Sequence, residues 1–340
     1  MITVKEIARL AGVSRGTVDR ALHGREGVNP VVADRVRSIA AQHGYVPDRA
    51  GRALSFRRNP LNVGVVLHAG SNPFFETVIE GMKQAESEYS DFSIRLLLRE
   101  AEGYVAAEQM RCIDELEAGG IQALILVPVN DPEIARRIGK LTERGIPVIC
   151  VNTDIADSKR AVYVGCDYHQ SGAVAAGLAL LMTGHEVSAG VVIGSLKMLG
   201  HTQRVHGFAS QLKEAGRVKV VDVAEHGDSD VRSREVVAAM LREFEPDLLY
   251  FAAGGVQGGL EAVAQFEAQT GRRPKIIACD ETPATAEALR EGVIQTLVTQ
   301  QPFEQGYTAV RTAFNLVVNH SNLDSDTVFM RNEIKICQNI

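Results

Sequence analysis

The sequence predicts an α + α/β protein: a three-helix head, a short hinge helix, and two lobes built on parallel sheets. Three observations carry that reading. Residues 1–60 hold 11 Lys and Arg against 5 Asp and Glu, although the whole chain has a net charge of −6. Helix caps and turn glycines recur at short intervals up to residue 44. From residue 62 onward, short apolar runs alternate with amphipathic stretches of helical period. The 340 residues are enough for more than one domain. A hydrophobic content of 45% excludes a mainly disordered chain. The 5 cysteines are scattered without a Cys-x-x-Cys pair, which excludes a disulfide framework. No stretch offers the roughly 18 uninterrupted apolar residues of a membrane span. The polar start, Thr3-Val4-Lys5-Glu6, has no apolar signal core, so a cytoplasmic protein is expected.

Within the head, Thr3-x-x-Glu6 forms a capping box at the start of a helix whose inner face is Val4, Ile7, Ala8 and Ala11. Gly12 follows, where a turn between helices calls for a residue without Cβ. Ser14 is a good N-cap for a second helix, residues 15–22, with Val18, Ala21 and Leu22 inward and Arg15, Gly16, Asp19 and Arg20 outward. Asn29-Pro30 opens a third helix with Val32, Val36, Ile39 and Ala40 on its core side, and Gly44 ends it. Three short helices presenting arginines on one face fit a helix-turn-helix reader of the DNA major groove. A basic head on an acidic body also suggests that only the head approaches a polyanion.

Residues 3–58 resemble the DNA-binding head of the lactose-repressor (LacI/GalR) family. The string Thr3-Val4-Lys5-Glu6-Ile7-Ala8-Arg9-Leu10-Ala11-Gly12-Val13-Ser14, then Thr17-Val18-Asp19-Arg20-Ala21-Leu22, Gly27-Val28-Asn29 and Gly44-Tyr45-Val46-Pro47-Asp48, carries the resemblance. It implies base reading by Arg15, Gly16 and Arg20, and an arginine can bond guanine bidentately. Thr3, Ser14, Thr17 and Asn29 are then candidates for the DNA-facing surface, the last three as phosphate donors that position without specifying. Asp19 departs from the family's usual Ser; it either orients Arg20, accepts from a cytosine amine, or faces solvent. Residues 48–58 read as a short helix capped by Asp48, weakened by Gly51 and interrupted at Asn59-Pro60. The resemblance implies a hinge helix that pairs with its twin and pushes Leu54 between base pairs in the minor groove; the alternative is a flexible basic linker.

In the body, strands are expected at 62–69, 92–98, 123–128, 148–152, 162–166, 189–194, 218–223, 248–252, 275–280 and 295–299, and a last one at 329–337. Helices are expected at 76–88, 132–144, 170–182 and 232–244. Ten strands in two βα groups predict two Rossmann-like lobes, and ligands in such sheets bind beyond the carboxyl ends of strands. The segments just past several strands are polar and aromatic: Ser71-Asn72-Pro73-Phe74-Phe75, Asn152-Thr153-Asp154, Asp280-Glu281-Thr282-Pro283 and Gln300-Gln301. His201-Thr202-Gln203-Arg204 adds further donors. Such a set suits a many-hydroxyl solute.

Residues from about 61 to the end resemble the type I periplasmic sugar-binding fold, in a ribose-binding-protein-like form, through Asn72-Pro73-Phe74-Phe75, Arg204-x-x-Gly207-Phe208, Asp280-Glu281-Thr282-Pro283 and Gln300. The resemblance implies effector contacts at Asn72, Phe74, Phe75, Asn152, Thr153, Arg204, Asp280 and Gln300, with Thr202 added from its place beside Arg204. Two departures stand out: Asn152-Thr153 where Asp-Arg is common, and Gly254-Gly255 where Asn-Asp is common. The run Gly254-Gly255-Val256-Gln257-Gly258-Gly259 reads either as a tight turn or as bare amides for an anion at a helix start. His226 and Asp228 reach the cleft on local spacing alone, and His201 and His206 read as solvent or cleft residues. No catalytic constellation, metal site or cofactor motif is found.

The expected organisation is a helix-turn-helix domain at 1–47, a hinge at 48–60 and an effector-binding and dimerisation domain at 61–340. Its lobes are expected at roughly 61–160 with 295–325, and 161–294 with 326–340. The expected function is a regulator, a repressor, that binds double-stranded palindromic operator DNA as a homodimer under control of a sugar, polyol or sugar phosphate, with no cofactor and no membrane contact. No leucine heptad comes after the last strand, so a dimer is expected in place of a tetramer. The rival reading is a cytoplasmic sugar-binding or sugar-processing protein whose activity lies in the body.

Overall fold

The computed structural model describes residues 2–22, 27–45, 60–69, 72–184, 186–321 and 323–340. The chain forms two compact units, a head through Pro60 and a body from Leu61. In the head, α1 (Val4–Ala11), α2 (Arg15–Leu22) and α3 (Pro30–Gln42) have the boundaries that their caps dictate. Thr3 and Glu6 form the reciprocal capping box, and Gly12 ends α1 at φ 65°, a conformation that β-carbon sterics deny most residues. Ser14 Oγ accepts from Thr17 N at 3.1 Å to start α2, and Asn29 Oδ1 accepts from Val31 N at 3.0 Å to start α3. Ile7, Ala8 and Ala11 pack with Val18, Ala21, Ala33, Val36 and Ala40 into a small core. The alternation of small and branched side chains lets three short helices approach closely.

The body contains two six-stranded sheets. In the first the order is β11-β5-β4-β3-β1-β2, and in the second β12-β10-β9-β8-β6-β7. The first sheet comprises β1 (Asn62–Ala69), β2 (Arg95–Glu102), β3 (Ala123–Leu126), β4 (Val148–Val151), β5 (Val162–Cys166) and β11 (Thr327–Met330), all parallel. The second comprises β6 (Val187–Ile193), β7 (Val218–Glu225), β8 (Leu248–Phe251), β9 (Lys275–Cys279) and β10 (Thr296–Thr299), with β12 (Glu333–Lys335) antiparallel at its edge. The central strands β3, β4, β5 and β8 are buried at every position, as strands covered by helices on both faces must be.

Helices α4 (Pro73–Glu88), α5 (Ala106–Ala118), α6 (Pro132–Glu143) and α12 (Pro302–Val318) serve the first sheet. Helices α7 (Tyr168–Met182), α8 (Leu199–Ala215), α9 (Asp230–Phe244), α10 (Val256–Thr270) and α11 (Pro283–Arg290) serve the second. The chain crosses between lobes after β5, after β10 and after β11. These crossings are hydrogen-bonded to one another: Asn332 Nδ2 donates to Asp167 O at 3.3 Å, and Gln301 Nε2 to Glu333 Oε1 at 2.9 Å.

That crossing pattern corrects the expected lobes. The strand at 162–166 completes the first sheet, not the second, and the strand at 296–299 belongs to the second sheet, not the first. The expected final strand at 329–337 is two strands, one in each sheet, separated at Arg331-Asn332. Short apolar strands carry no mark of the sheet that will accept them; the crossing points decide, and those are set by packing at long range. The second strand also starts later than 92, because Phe92 is buried in a 3-10 turn that precedes the edge strand.

The lobes share a packing device. α7 and α8 cross at Gly172 and Gly207; a Cβ at Gly172 would lie 2.0 Å from Arg204 O, and one at Gly207 2.0 Å from His169 O. α4 and α12 cross the same way at Gly81 and Gly306. Gly172→Ala should therefore overpack against backbone and destabilise by about 2–3 kcal/mol. Gly177, one turn on in the same helix, meets nothing within 4 Å, so Gly177→Ala should stabilise by about 0.5–1 kcal/mol. Denaturant titrations of the two variants should move in opposite directions; a loss of the same size from both would refute the backbone-contact account.

Candidate functional site

The head presents the DNA-facing candidates outward. Ser14, Arg15, Gly16 and Arg20 are exposed, Thr17 is half-buried, and Thr3 and Asn29 are exposed caps. Arg20 Nε donates to Gly16 O at 3.2 Å, which lays its guanidinium along the outer side of α2. Arg15 and Arg20 therefore share one surface, while the hydroxyls of Thr3 and Ser14 and the Asn29 side chain cap their helices. Leu54, the expected minor-groove wedge, lies outside the described residues.

In the body, the carboxyl ends of the parallel strands of both sheets converge on one cleft. A cavity of about 430 Å³ is lined by His68, Asn72, Phe75, Tyr104, Asp228 and Asp230, among others. A second, of about 90 Å³, shares Asn72, Asp228 and Asp230 and reaches Gly254 and Asp280. Larger hollows of about 670 and 720 Å³ lie beside Lys213 and Arg217 and beside Arg136 and Lys140, and share no lining residue with these two.

One group of expected effector residues gathers around Gln300. Its Nε2 donates to both Asp280 carboxylate oxygens at 3.0 Å, and its Oε1 accepts from Tyr168 Oη at 3.0 Å. Asn152 Nδ2 lies 3.4 Å from the same Oε1. Asn152 and Asp280 both sit at φ 66°, a turn conformation that aims each side chain back over its strand end. Arg204 is 2% exposed. Its guanidinium stands 4.5 Å over the Tyr168 ring and donates from Nη1 to Ala252 O at 2.8 Å. Its Nε and Nη2 have no hydrogen-bond partner among the described residues. Burial holds the Asp280 carboxyl above its ordinary value, opposed by Arg204 and Gln300.

Asn72 caps α4 through Phe74 N at 3.1 Å and turns its amide toward Gly254, where a Cβ would lie 2.8 Å from Nδ2. Of the two aromatics, Phe75 lines the larger cavity while Phe74 is buried, with the rings edge-on at 5.4 Å. Two expected residues have protein partners instead. Thr153 Oγ1 accepts from Gly200 N at 3.0 Å, a bond between lobes, and Thr202 Oγ1 donates to Leu199 O at 2.8 Å on its own helix.

The cleft also holds Tyr104 and His68, which the sequence did not single out. Tyr104 donates its hydroxyl to Asp228 Oδ2, and burial together with Asp228 pushes the phenol above its ordinary value, so it stays a donor. His68 packs against Tyr104 with ring centroids 4.9 Å apart. His68 Nδ1 faces Gly103 O at 3.2 Å; a carbonyl only accepts, so Nδ1 carries the proton and Nε2 is an acceptor. His201 lies against Tyr104 and within 3.1 Å of the Ser195 backbone, whereas His206 is exposed beside His169. Burial depresses His68 and His201 to about 4 and lowers His226, against the pull of Asp228 and Asp230. Both His226 ring nitrogens, His68 Nε2 and Asp228 Oδ1 have no partner among the described residues.

The glycine-rich segment is explained by packing. Gly258 N donates to Asp230 Oδ1 at 3.1 Å, so a carboxylate already occupies this donor at the start of α10. A Cβ at Gly258 would lie 1.8 Å from Asp230 O, and one at Gly259 2.3 Å from the Phe251 ring. Gly258 and Gly259 let α9 and α10 meet, and the Gly258 amide is not open to an anion.

No group of three or more His, Cys, Asp and Glu among the described residues is arranged to hold a metal ion. No described helix is long and apolar enough to cross a membrane.

Comparison with known proteins matches residues 3–48 to the bacterial regulatory proteins of the lacI family and residues 63–321 to the periplasmic binding protein domain. The chain is 28% identical to the HTH-type transcriptional regulator CelR of Thermobifida fusca, over 81% of this chain and 80% of that protein. It is 24% identical to catabolite control protein A of Priestia megaterium, over 99% of this chain and 98% of that protein. The fold of the body is that of GanP, a glucose-galactose binding protein from Geobacillus stearothermophilus. The likeness has a TM-score of 0.74 at 23% identity and covers 82% of this chain and 98% of that one. A two-lobed body of this topology, matched over residues 63–321, makes the chain a member of the periplasmic binding protein domain family, and its capped three-helix head, matched over residues 3–48, is a domain of the lacI family of bacterial regulatory proteins.

Proposed function

We propose that the protein is a transcriptional repressor whose affinity for operator DNA is set by a small carbohydrate-like effector held between the two lobes of the body. The observation that carries this reading is the pairing, in one chain, of an arginine-bearing helix-turn-helix head with a cleft lined by convergent polar groups. Its relatives are regulators and sugar-binding proteins, which supports a regulator over an enzyme and a site of action in the cytoplasm.

Arg15 and Arg20 read base edges, and Ser14, Thr17 and Asn29 position the head on phosphates. Two protomers engage a palindromic operator, one head per half-site. In the body Arg204, Asp280 and Gln300 bind effector hydroxyls from the second lobe and Asn72 and Asn152 from the first, while the Phe75 ring covers an apolar face of the effector. Thr153 and Gly200 hydrogen-bond across the lobes, so effector-driven closure bears on a contact between the lobes. The effector shifts the equilibrium only by its preference for one lobe arrangement.

Selection of DNA fragments by the purified full-length chain, followed by footprinting, should yield a palindromic protected site. Arg20→Ala should weaken binding by about 10-fold or more and relax preference at one base pair per half-site. A protected site that is unchanged in strength and sequence preference in that variant would remove Arg20 from base reading. The absence of any protected site, with or without carbohydrates, would overturn the proposed function.

A further inference from the structure

We infer that the effector is a non-anionic polyol, and that Asp228, aimed by Tyr104 and flanked by His68, is the element that rejects phosphorylated and carboxylated sugars. This inference rests on the cleft being the effector site. It narrows the class of ligand the cleft accepts, which the sequence leaves open among sugar, polyol and sugar phosphate.

The unpartnered atoms on the wall of the larger cavity are acceptors. Asp228 Oδ1 is one by its chemistry, and His68 Nε2 is another because Nδ1 faces a carbonyl. Tyr104 is a fixed donor already given to Asp228 Oδ2. A ligand group that satisfies both acceptors must therefore donate, as hydroxyls do and as phosphate or carboxylate oxygens do not. The charge of the cleft favours the same class of ligand. Asp228, Asp230 and Asp280 line the two cavities, and Arg204, with Nε and Nη2 unpartnered among the described residues, is the one buried cation set electrostatically against Asp280. Lys197, at the rim, reaches back to Tyr104 O at 3.4 Å and is exposed. Taking Arg204 with Asp280, two carboxylates remain uncompensated in the cleft, and burial keeps the nearby histidines neutral. At the start of α10 the Gly258 amide is already taken by the Asp230 carboxylate.

The test is a calorimetric and melting-temperature screen of the full-length chain against matched sets. D-glucose, D-galactose, D-ribose and myo-inositol are each compared with their phosphate monoesters, and the two hexoses also with their uronic acids, with inorganic phosphate alongside. The expected result is that at least one uncharged compound binds and that its anionic counterpart binds at least about 30-fold more weakly, since like-charge juxtaposition in a desolvated site is strongly unfavourable. Asp228→Asn should then narrow that ratio by about 10-fold or more, and Tyr104→Phe, which keeps the ring, should narrow it to a lesser degree. An anionic member that binds more tightly than its uncharged parent overturns the inference while leaving the cleft as the effector site. Binding by no member of either series removes the cleft reading, and this inference falls with it. A ratio unaltered in a folded Asp228→Asn or Tyr104→Phe protein removes Asp228 from the role.

Discussion

Replacing Asp280 with Ala should abolish the effector response and lower the stability of the body at once. Asp280 acts electrostatically on Arg204, a fully buried guanidinium whose Nε and Nη2 have no hydrogen-bond partner among the described residues. Removing the carboxylate takes from that cation a charge that acts on it from beyond ion-pair distance, and since burial already disfavours the ionised carboxyl the net cost should be about 1–3 kcal/mol. It also frees Gln300 Nε2, whose two bonds to Asp280 hold the side chain that ties Tyr168 and Asn152 to the crossing after β10. Effector affinity should fall by about 100-fold or more, since a charged hydrogen-bonding partner is lost from a desolvated site. Asp280→Asn separates the two effects, because the amide oxygen still accepts from Gln300 while the charge is gone. Pairing it with Arg204→Met should restore most of the stability and none of the binding. DNA binding without effector should persist in each folded variant, because the head has its own core. Full effector affinity in Asp280→Ala, by calorimetry, would mean that the effector binds elsewhere.

The range of the forces involved decides what the sequence discloses and what it withholds. Caps are local: Thr3 with Glu6, Ser14 with Thr17 and Asn29 with Val31 lie within three residues of each other, so the head's helices could be placed from their termini. The strands at 62–69 and 162–166 were legible to the residue because each is built on a short, largely apolar run flanked by polar residues. Sheet membership was not, because it depends on where the chain crosses between lobes. Arg204, Asp280 and Gln300 stood out through a motif. The pairing of Tyr104 with Asp228 did not, since they are 124 residues apart and nothing local marks a tyrosine in a β–α turn as a partner for a distant carboxylate. His68 sits on a strand where any half-buried residue would look the same. Thr153 and Thr202 show the converse limit: a hydroxyl beside a binding motif satisfies itself as readily on a backbone atom as on a ligand.

The buried histidines make acid stability the second large expected effect. Burial depresses His68 and His201 from 6.5 to about 4 in the folded protein, and lowers His226 in the same direction. The unfolded chain takes up protons near 6.5 that the folded chain refuses until about 4. Stability is therefore fully present above 6.5, falls as the pH is lowered through that window, and loses nothing further to these groups below about 4. Each unit of depression is about 1.4 kcal/mol, so the two histidines together should remove on the order of 3–5 kcal/mol by about pH 4.5. Asp280 acts oppositely, because its raised carboxyl binds a proton in the fold before it would in the unfolded chain, and it offsets part of the loss. Urea titrations at steps between pH 7.5 and 4.5 should show the midpoint dropping steadily below about 6.5, and His201→Gln, which has no proton to gain, should flatten the slope by about half. A wild-type midpoint that held constant from pH 7 to 5 would mean that these imidazoles meet water in the native state. In that case the cleft between the lobes would stand open, and the hydrogen bonds that cross it from Thr153 and Tyr104 would be broken for much of the time.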